Sequence, residues 1–462
     1  MIKKTAIIFI LISALFGSSC EDWLELTPPQ GLVTQEYWQN KEDVEATLMG
    51  AYRRLAQLDK EFLVFGELRA DMIDDKGNMG NNQRLILNSN IYADNGFCNW
   101  KSFYQVIHNC NLVLKHGDAV QQSDPTFTSY TLKGYKAEAL FLRSLTYFYL
   151  VRIYKDVPLV LEPSETDDVD YYLPKTKGGV ILDTLKSNLL RARKYMPNNK
   201  DYGSVSENKG RATEGALDAL LANIHLWEFN YDKCIEYVNK IEELGQYELL
   251  PSGKWYNIFY PGNSLEGIFE IQYNSELGQS NSLFYLTYNA DNYQPSEQAL
   301  DYLSPDRSQE VIRGDGSIDV EDNLIWKYCG RAPDGRSVRS GAEEGSANWI
   351  IYRYADVLLM KAEALSQTGK YDEALEIVNR IRRRANVKPI EEVTRTARAF
   401  EDVILKERAK ELAYEGKRWF DLMRMGRRNN YERKEDIIEI IISNVPASQQ
   451  RVLAAKLADP MG

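Results

Sequence analysis

Glu407, Glu411 and Glu415 stand four residues apart in a segment with helical periodicity, so one face of a helix would carry all three carboxylates. That is half of a carboxylate metal site in a helical bundle. The other half, a Glu-x-x-His on a facing helix, is missing, and the chain has only three histidines. Arg408 and Arg418 are the better partners, as charge-assisted pairs that tie this helix to a scaffold. Cys98, His108, Cys110 and His116 are metal-binding residue types, but His108 and Cys110 point about 200° apart on a helix and neither spacing is that of a zinc finger. Asp315, Ser317 and Asp319 begin like an EF-hand loop, yet Val320 fills the glycine position and Trp326 the position of the bidentate Glu. An irregular calcium site drawn from Asp315, Asp319, Glu321 or Asp322 stays open as an alternative. No metal and no cofactor is expected. No catalytic triad assembles either: Gly262 to Gly267 misses a Gly-x-Ser-x-Gly by one residue. Carboxylate pairs for glycoside hydrolysis cannot be told from chance pairs among 67 acidic residues. The residues give no reason to choose any of them.

Aromatic rings in loop-like sequence say more. Sugars are held by stacking their C–H faces on flat rings while Asn, Asp and Arg bond the hydroxyls. Tyr285, Tyr288 and Tyr293 lie close together, with Trp255, Tyr256 and Tyr260 before them and Trp326 and Tyr328 after. Tyr288, Tyr293 and Trp326 are the stacking candidates, and Asp74, Asn82 and Arg84 from an earlier polar stretch are the hydroxyl partners. The competing reading is that about half of these rings anchor long loops to helices.

The chain opens with Lys3 and Lys4, an apolar run from Thr5 to Phe16, and Gly17-Ser18-Ser19-Cys20. The run is too short to span roughly 30 Å of hydrocarbon and reads as a secretory signal. Small residues directly before a cysteine look like a bacterial lipobox, so residues 1–19 are expected to be a lipoprotein signal peptide and Cys20 the lipidated residue. Several acyl chains on one residue anchor stably. The formal charge of the 462-residue chain is −11, and loss of Lys3 and Lys4 makes the mature chain more acidic still. That balance argues against a nucleic-acid partner, which needs clustered Lys and Arg. Cys98, Cys110, Cys234 and Cys329 are too sparse for a disulfide framework; Cys98 and Cys110 have the option of pairing.

The elements that must position these groups are mostly helices. Lys41 to Leu58, Gly134 to Tyr154 and Val180 to Tyr195 each carry apolar residues at helical spacing; Arg211 to Gly245 and Trp349 to Asn386 each read as two helices about a tight turn, and Glu401 to Met425 as one long helix. Ala222, Tyr231 and Cys234 share their spacing with Ala362, Tyr371 and Ala374, the grammar of a tetratricopeptide hairpin. Residues 71–100 and 246–348 break the pattern, with one strand-like run at Gly267 to Tyr273. Loops this long in a compact chain are functional or disordered, and their aromatic content argues against disorder. The expected fold is mainly α, a tetratricopeptide-like helical hairpin scaffold over about 37–245 and 349–425 with loop-rich, ligand-facing insertions at about 71–100 and 246–348 and little β. All of 20–462 is expected to be one domain.

In this order the motifs resemble the SusD/RagB family, the surface lipoproteins with which Bacteroidetes-type bacteria capture nutrients. Tyr37-Trp38, Glu42-Asp43 and Gly50-Ala51-Tyr52 are similar to its opening, and Phe103-Tyr104 with Asn111-Leu112-Val113-Leu114 to its second helix. Glu138 to Arg143, Tyr147-Phe148 and Asp156-Val157-Pro158-Leu159 match its most recognisable block, with Lys155 where the family usually has Gly. Tyr352 to Leu359, Ala362-Glu363-Ala364, Asn379-Arg380-Ile381-Arg382, Glu407-Arg408, Glu411-Leu412, Glu415-Gly416, Arg418 and Asp421-Leu422 complete the set. The resemblance implies a glycan or oligosaccharide ligand, with peptide capture of the RagB type as the variant. It also implies a partner, a SusC-like TonB-dependent outer-membrane barrel, and a lipid-anchored position facing the cell exterior. The resemblance implies no catalysis, so a binding protein and no enzyme is expected; a helical interaction scaffold without small ligand is the alternative of another class, and an enzyme comes third.

Overall fold

Helix α1 (Lys41–Ala56) starts at a capping box in which the Asn40 side chain accepts the Asp43 N–H and the Asp43 carboxylate accepts the Asn40 N–H. Its buried stripe is Val44, Thr47, Leu48, Ala51 and Leu55. The computed structural model describes residues 37–165, 172–197, 200–289, 292–328, 330–331, 335–337, 344–443, 445 and 447–458. The leader and Cys20 lie outside them. After α2 (Asp59–Leu63) a π-helical turn at Val64–Leu68 leads to strand β1 (Ile73–Asp75) and α3 (Asn81–Leu87). Then come α4 (Lys101–Ser123), α5 (Ser129–Tyr154) and α6 (Gly178–Tyr195). Every residue of α5 from Ala137 to Leu150 is buried, so this helix is enclosed on all sides, with α1, α4 and α6 packed around it. Two of its buried charges reach other segments: Glu138 accepts from Tyr52 and Arg211, and Arg143 donates to Asn111.

Two helical hairpins follow the expected grammar. The first is α7 (Glu214–Trp227) with α8 (Tyr231–Glu243). Strand β2 (Gly267–Ile271), strand β3 (Tyr293–Pro295), α9 (Glu297–Leu303), α10 (Val311–Ser317) and the small hairpin β4 (Ile318–Asp319) and β5 (Leu324–Ile325) come next. Strand β6 (Trp349–Arg353) leads into the second hairpin, α11 (Tyr354–Gln367) with α12 (Tyr371–Arg384). Ala222, Cys234, Ala362 and Ala374 have no exposed surface, and α8 lies against α11, with the Cys234 thiol 3.8 Å from the Met360 carbonyl. Separated in sequence, the two hairpins stack as neighbouring repeats do.

The chain closes with α13 (Ala397–Glu411), α14 (Arg418–Tyr431), α15 (Lys434–Ser443) and α16 (Ala447–Ala458). The fold is mainly α, as expected, with two differences. The first is that Trp349 to Arg353 is a strand antiparallel to β2, with Ile271 opposite Trp349 and Gly267 opposite Arg353. Both strands are buried throughout, which erases the alternation that marks a half-exposed strand. The second is that Glu401 to Met425 is two helices. The chain turns between Glu411 and Arg418, with positive φ at Tyr414 (63°) and Gly416 (69°). The break is made by a distant residue: the buried Glu67 carboxylate accepts the N–H groups of Tyr414 and Lys417, while Gly66 presses on the Gly416 backbone so closely that a Cβ would clash. Among the described residues no helix is long and apolar enough to cross a membrane.

Candidate functional site

The two loop-rich stretches meet. Strand β1 from the first pairs antiparallel with β3 from the second, placing Ile73 opposite Pro295, Asp74 opposite Gln294 and Asp75 opposite Tyr293. Side chains extend the seam: Lys76 Nζ donates to the Asp322 carbonyl at 2.9 Å, and Asn323 Nδ2 to Gln294 Oε1 at 2.7 Å. Strand pairing across more than two hundred residues is long-range order that no local pattern announces, and it turns two insertions into one face.

On that face Asp75 is a hub. Its carboxylate accepts the N–H groups of Gly77 (2.8 Å) and Met79 (3.1 Å) and the Arg84 guanidinium at 2.7 Å. Burial opposes its charge, but Arg84 and the two N–H groups outweigh that and hold the carboxyl below its usual range. Asp74 beside it is half-buried, and burial raises it. Asn82 and Arg84 are exposed on α3, and the Asn82 carbonyl accepts from Asn95, which ties α3 to the turn carrying Tyr92. Tyr92 is 55% exposed and Tyr285 48%.

The three ring candidates divide. Tyr288 belongs to the π-helical turn Phe284–Asn289, and its side chain lies outside the described residues. Tyr293 has no exposed surface, and Trp326 is 6% exposed with Nε1 donating to the Asp315 carbonyl at 3.0 Å. Neither offers a face for stacking. They are loop anchors, because a segment with few helices of its own buries its large rings to hold its shape. Tyr285, named in the same cluster but not among the three, carries the exposed ring.

Beneath the face lies a buried ionic network. Fully buried Arg353 donates to Glu266 (2.6 Å), Glu411 (2.7 Å) and Glu415 (2.8 Å); Lys327 donates to Glu415 (2.7 Å); Arg313 donates to Glu407 (2.7 Å), Glu411 (3.2 Å) and Glu310. Arg384 joins Glu266 and Glu411. The three spaced glutamates are therefore structural, but with other partners than Arg408 and Arg418. Arg408 pairs with Asp356 and Asp421, and Arg418 with Asp71. Burial opposes charge on Glu411, yet Arg384, Arg353 and Arg313 hold it well below the usual range. Arg313 and Lys327 come from the loop-rich stretch, so this network rivets that stretch to the helical scaffold. Charged residues in loop sequence read as solvated, and nothing local marks these two as interior.

Cys98, Cys110 and Cys234 are free thiols. His116 stacks on Trp38 at 4.5 Å and meets Glu165 at 2.5 Å. Asp319 accepts the N–H groups of Glu321 and Asp322, an ordinary turn. Among the described residues no group of three His, Cys, Asp or Glu is placed to hold a metal. Two clefts lie away from the face: one of about 250 Å³ includes Lys200, Lys209 and Tyr247, and one of about 150 Å³ includes Arg398, Glu401 and Arg433.

Comparison with known proteins adds the following. The profile described as "SusD family" matches residues 314–454, and the profile described as "Starch-binding associating with outer membrane" matches residues 22–226. The chain is 27% identical to SusD-like protein P38 of Formosa agariphila over 91% of both chains, and 23% identical to a SusD-like protein of Bacteroides ovatus over 91% of this chain and 82% of that one. Among solved structures it resembles a SusD homolog from Bacteroides thetaiotaomicron (TM-score 0.68, 26% identity, 90% and 95% of the two chains). It also resembles a SusD superfamily protein from Bacteroides vulgatus (TM-score 0.72, 22% identity, 90% and 92%).

Proposed function

Because the chain belongs to the SusD/RagB family of outer-membrane nutrient-uptake proteins, we propose that it captures a glycan or oligosaccharide at the cell exterior, held by a lipid on Cys20, and delivers it to a SusC-like TonB-dependent barrel. The observation that carries the binding part is the β1–β3 seam. It gathers Asp74, the Asp75–Arg84 pair, Asn82, Gln294 and Asn323 onto one rim, with the exposed rings of Tyr285 and Tyr92 on the same two stretches. Flat rings beside fixed amide, carboxylate and guanidinium groups are what an oligosaccharide needs. An open rim, not a closed pocket, suits an extended ligand. The rigid network below supports binding groups on loops held by a scaffold. Tyr285 and Tyr92 supply stacking, with Tyr288 kept as a third ring; Asp74, Asn82 and Arg84 supply hydrogen bonds.

Isothermal titration of the soluble chain from residue 21 against a panel of polysaccharides, oligosaccharides and peptides tests this. The expected result is saturable binding of at least one glycan, weakened roughly tenfold or more by Tyr285→Ala. Binding of peptides alone moves the protein to the RagB-type variant. No binding of either class, with the fold intact, leaves the scaffold reading.

A further inference from the structure

The larger of the two clefts, about 250 Å³, is built by elements that take no part in the rim. Its walls are the loop at Lys200 and Asp201, the short helix Val205–Gly210, the start of α7, and the chain that leaves α8 at Gln246 and Tyr247. Close packing sets its depth. Tyr247 is 9% exposed and Gly215 makes room for it, since a Cβ at Gly215 would run into the Tyr247 hydroxyl.

What sets this cleft apart is spare hydrogen-bonding capacity. Half-buried Lys209 donates to the Gly267 carbonyl at 2.6 Å, lies over the Tyr247 ring at 4.9 Å, and pairs with no carboxylate among the described residues. Burial holds its ammonium below the usual lysine range, opposed by Glu270. An ammonium has three N–H donors, so two of them remain for another acceptor. Lys200 forms no ion pair among the described residues either; its ammonium is 5.0 Å from the Tyr202 ring and 5.8 Å from the Tyr130 ring. Asp201 spends one oxygen on Asn208 and the Gly203 N–H, and Glu214 spends one on Arg193, so each carboxylate keeps a second oxygen free. Gln246 is exposed, and its amide makes no hydrogen bond among the described residues.

We propose that this cleft binds one neutral sugar unit, a free monosaccharide or a chain end, as a second site apart from the rim; it rests on the glycan reading and adds to it. A hydroxyl both donates and accepts, so it can sit between an ammonium and a carboxylate. Among the described lining residues the cleft offers two lysines and two acids, whose charges cancel, and that balance favours a neutral polyol over an anion. Its volume falls below the roughly 300–1,000 Å³ of pockets for drug-sized ligands, so it takes one ring where the open rim takes an extended chain. Tyr130, 60% exposed beside Lys200, presents a flat ring to the C–H face of such a unit. A peptide side chain would want apolar walls, and among the described lining residues only Leu244 and Tyr247 are large and apolar.

The test is ligand-observed NMR on the full mature chain from residue 21 with glucose, galactose, mannose and N-acetylglucosamine, and with glucuronate and glutamate as charged comparisons. The expected result is saturable binding of at least one neutral sugar, weakened roughly tenfold or more by Lys209→Met and by Gln246→Trp, and unchanged by Tyr285→Ala. Gln246 is exposed, so the Trp fills the mouth of the cleft without disturbing a buried group, and the test stands even where Lys209→Met does not fold. Sugar binding indifferent to Gln246→Trp overturns the proposal, as does sugar binding lost in Tyr285→Ala. Binding of glucuronate or glutamate through Lys209, with the neutral sugars inert, overturns it too by making the cleft an anion site. No monosaccharide binding at all sinks the second site alone if an oligosaccharide still binds through Tyr285, and sinks the glycan reading with it if none does.

Discussion

Replacing Arg353 by methionine removes a guanidinium that touches three carboxylates at once, with donors at 2.6 Å from Glu266, 2.7 Å from Glu411 and 2.8 Å from Glu415, and one more at 2.6 Å from the Glu411 carbonyl. None of these groups is more than 2% exposed, so water does not replace the lost bonds. Removing one partner of a buried pair costs about 3–5 kcal/mol. Lys327, Arg384 and Arg313 still neutralise the same carboxylates, which places the expectation at the lower end, about 3 kcal/mol. The measurement is urea unfolding of the soluble chain followed by tryptophan fluorescence, since Trp349 begins the strand that Arg353 ends. A double-mutant cycle with Glu411→Gln should show a coupling of about 0.5–3 kcal/mol. A loss below about 1 kcal/mol would show that desolvation of the network already cancels its attraction, and that the loops are held by packing alone.

Acid should unfold the protein through Asp356 and Glu363. Burial opposes their charge, but Lys417 and Arg408 for Asp356, and Arg424 and Arg428 for Glu363, hold both at about 2. A depressed folded-state value means stability present above the ordinary carboxylate range and lost as pH falls from about 4 toward 2, by about 2–3 kcal/mol for each group; a melting temperature flat across that window would contradict this. Lys155 sits at φ 66°, ψ −73°, in a tight turn where the Asp156 N–H bonds the Tyr154 carbonyl, so Lys155→Gly should stabilise the chain by about 1 kcal/mol in denaturant titration. Tyr293→Ala should cost about 3–5 kcal/mol and lower the melting temperature, whereas Tyr285→Ala should leave melting unchanged while weakening glycan binding. Cys20→Ala should yield folded protein that leaves the membrane fraction in cells lacking the barrel partner; continued sedimentation with outer membrane would refute the lipid anchor.

What was legible in the residues, and what was not, follows the range of the forces. The hairpins α7–α8 and α11–α12 were readable because the spacing of Ala222, Tyr231 and Cys234 and of Ala362, Tyr371 and Ala374 is local, and small residues permit close helices wherever they occur. The family motifs were readable for the same reason. The family's usual glycine at position 155 even has its cause in the positive φ found there. The strand at Trp349–Arg353 was misread because burial on both faces removes period-two alternation. The break after Glu411 was invisible because its cap, Glu67, lies hundreds of residues away.

The site divides along the same line. Residue types alone marked both loop-rich stretches as candidates for binding, and argued against a nucleic-acid partner through charge and against a metal or a triad through spacing. Which rings face solvent was decided only by the tertiary structure. Tyr285 and Tyr293 are the same residue type eight positions apart, one about half exposed and one fully buried. The partners of Glu407, Glu411 and Glu415 were likewise settled by folding: a charge can leave water only where opposite charges from distant segments arrive together, and Arg313, Lys327, Arg353 and Arg384 meet there from four separate parts of the chain.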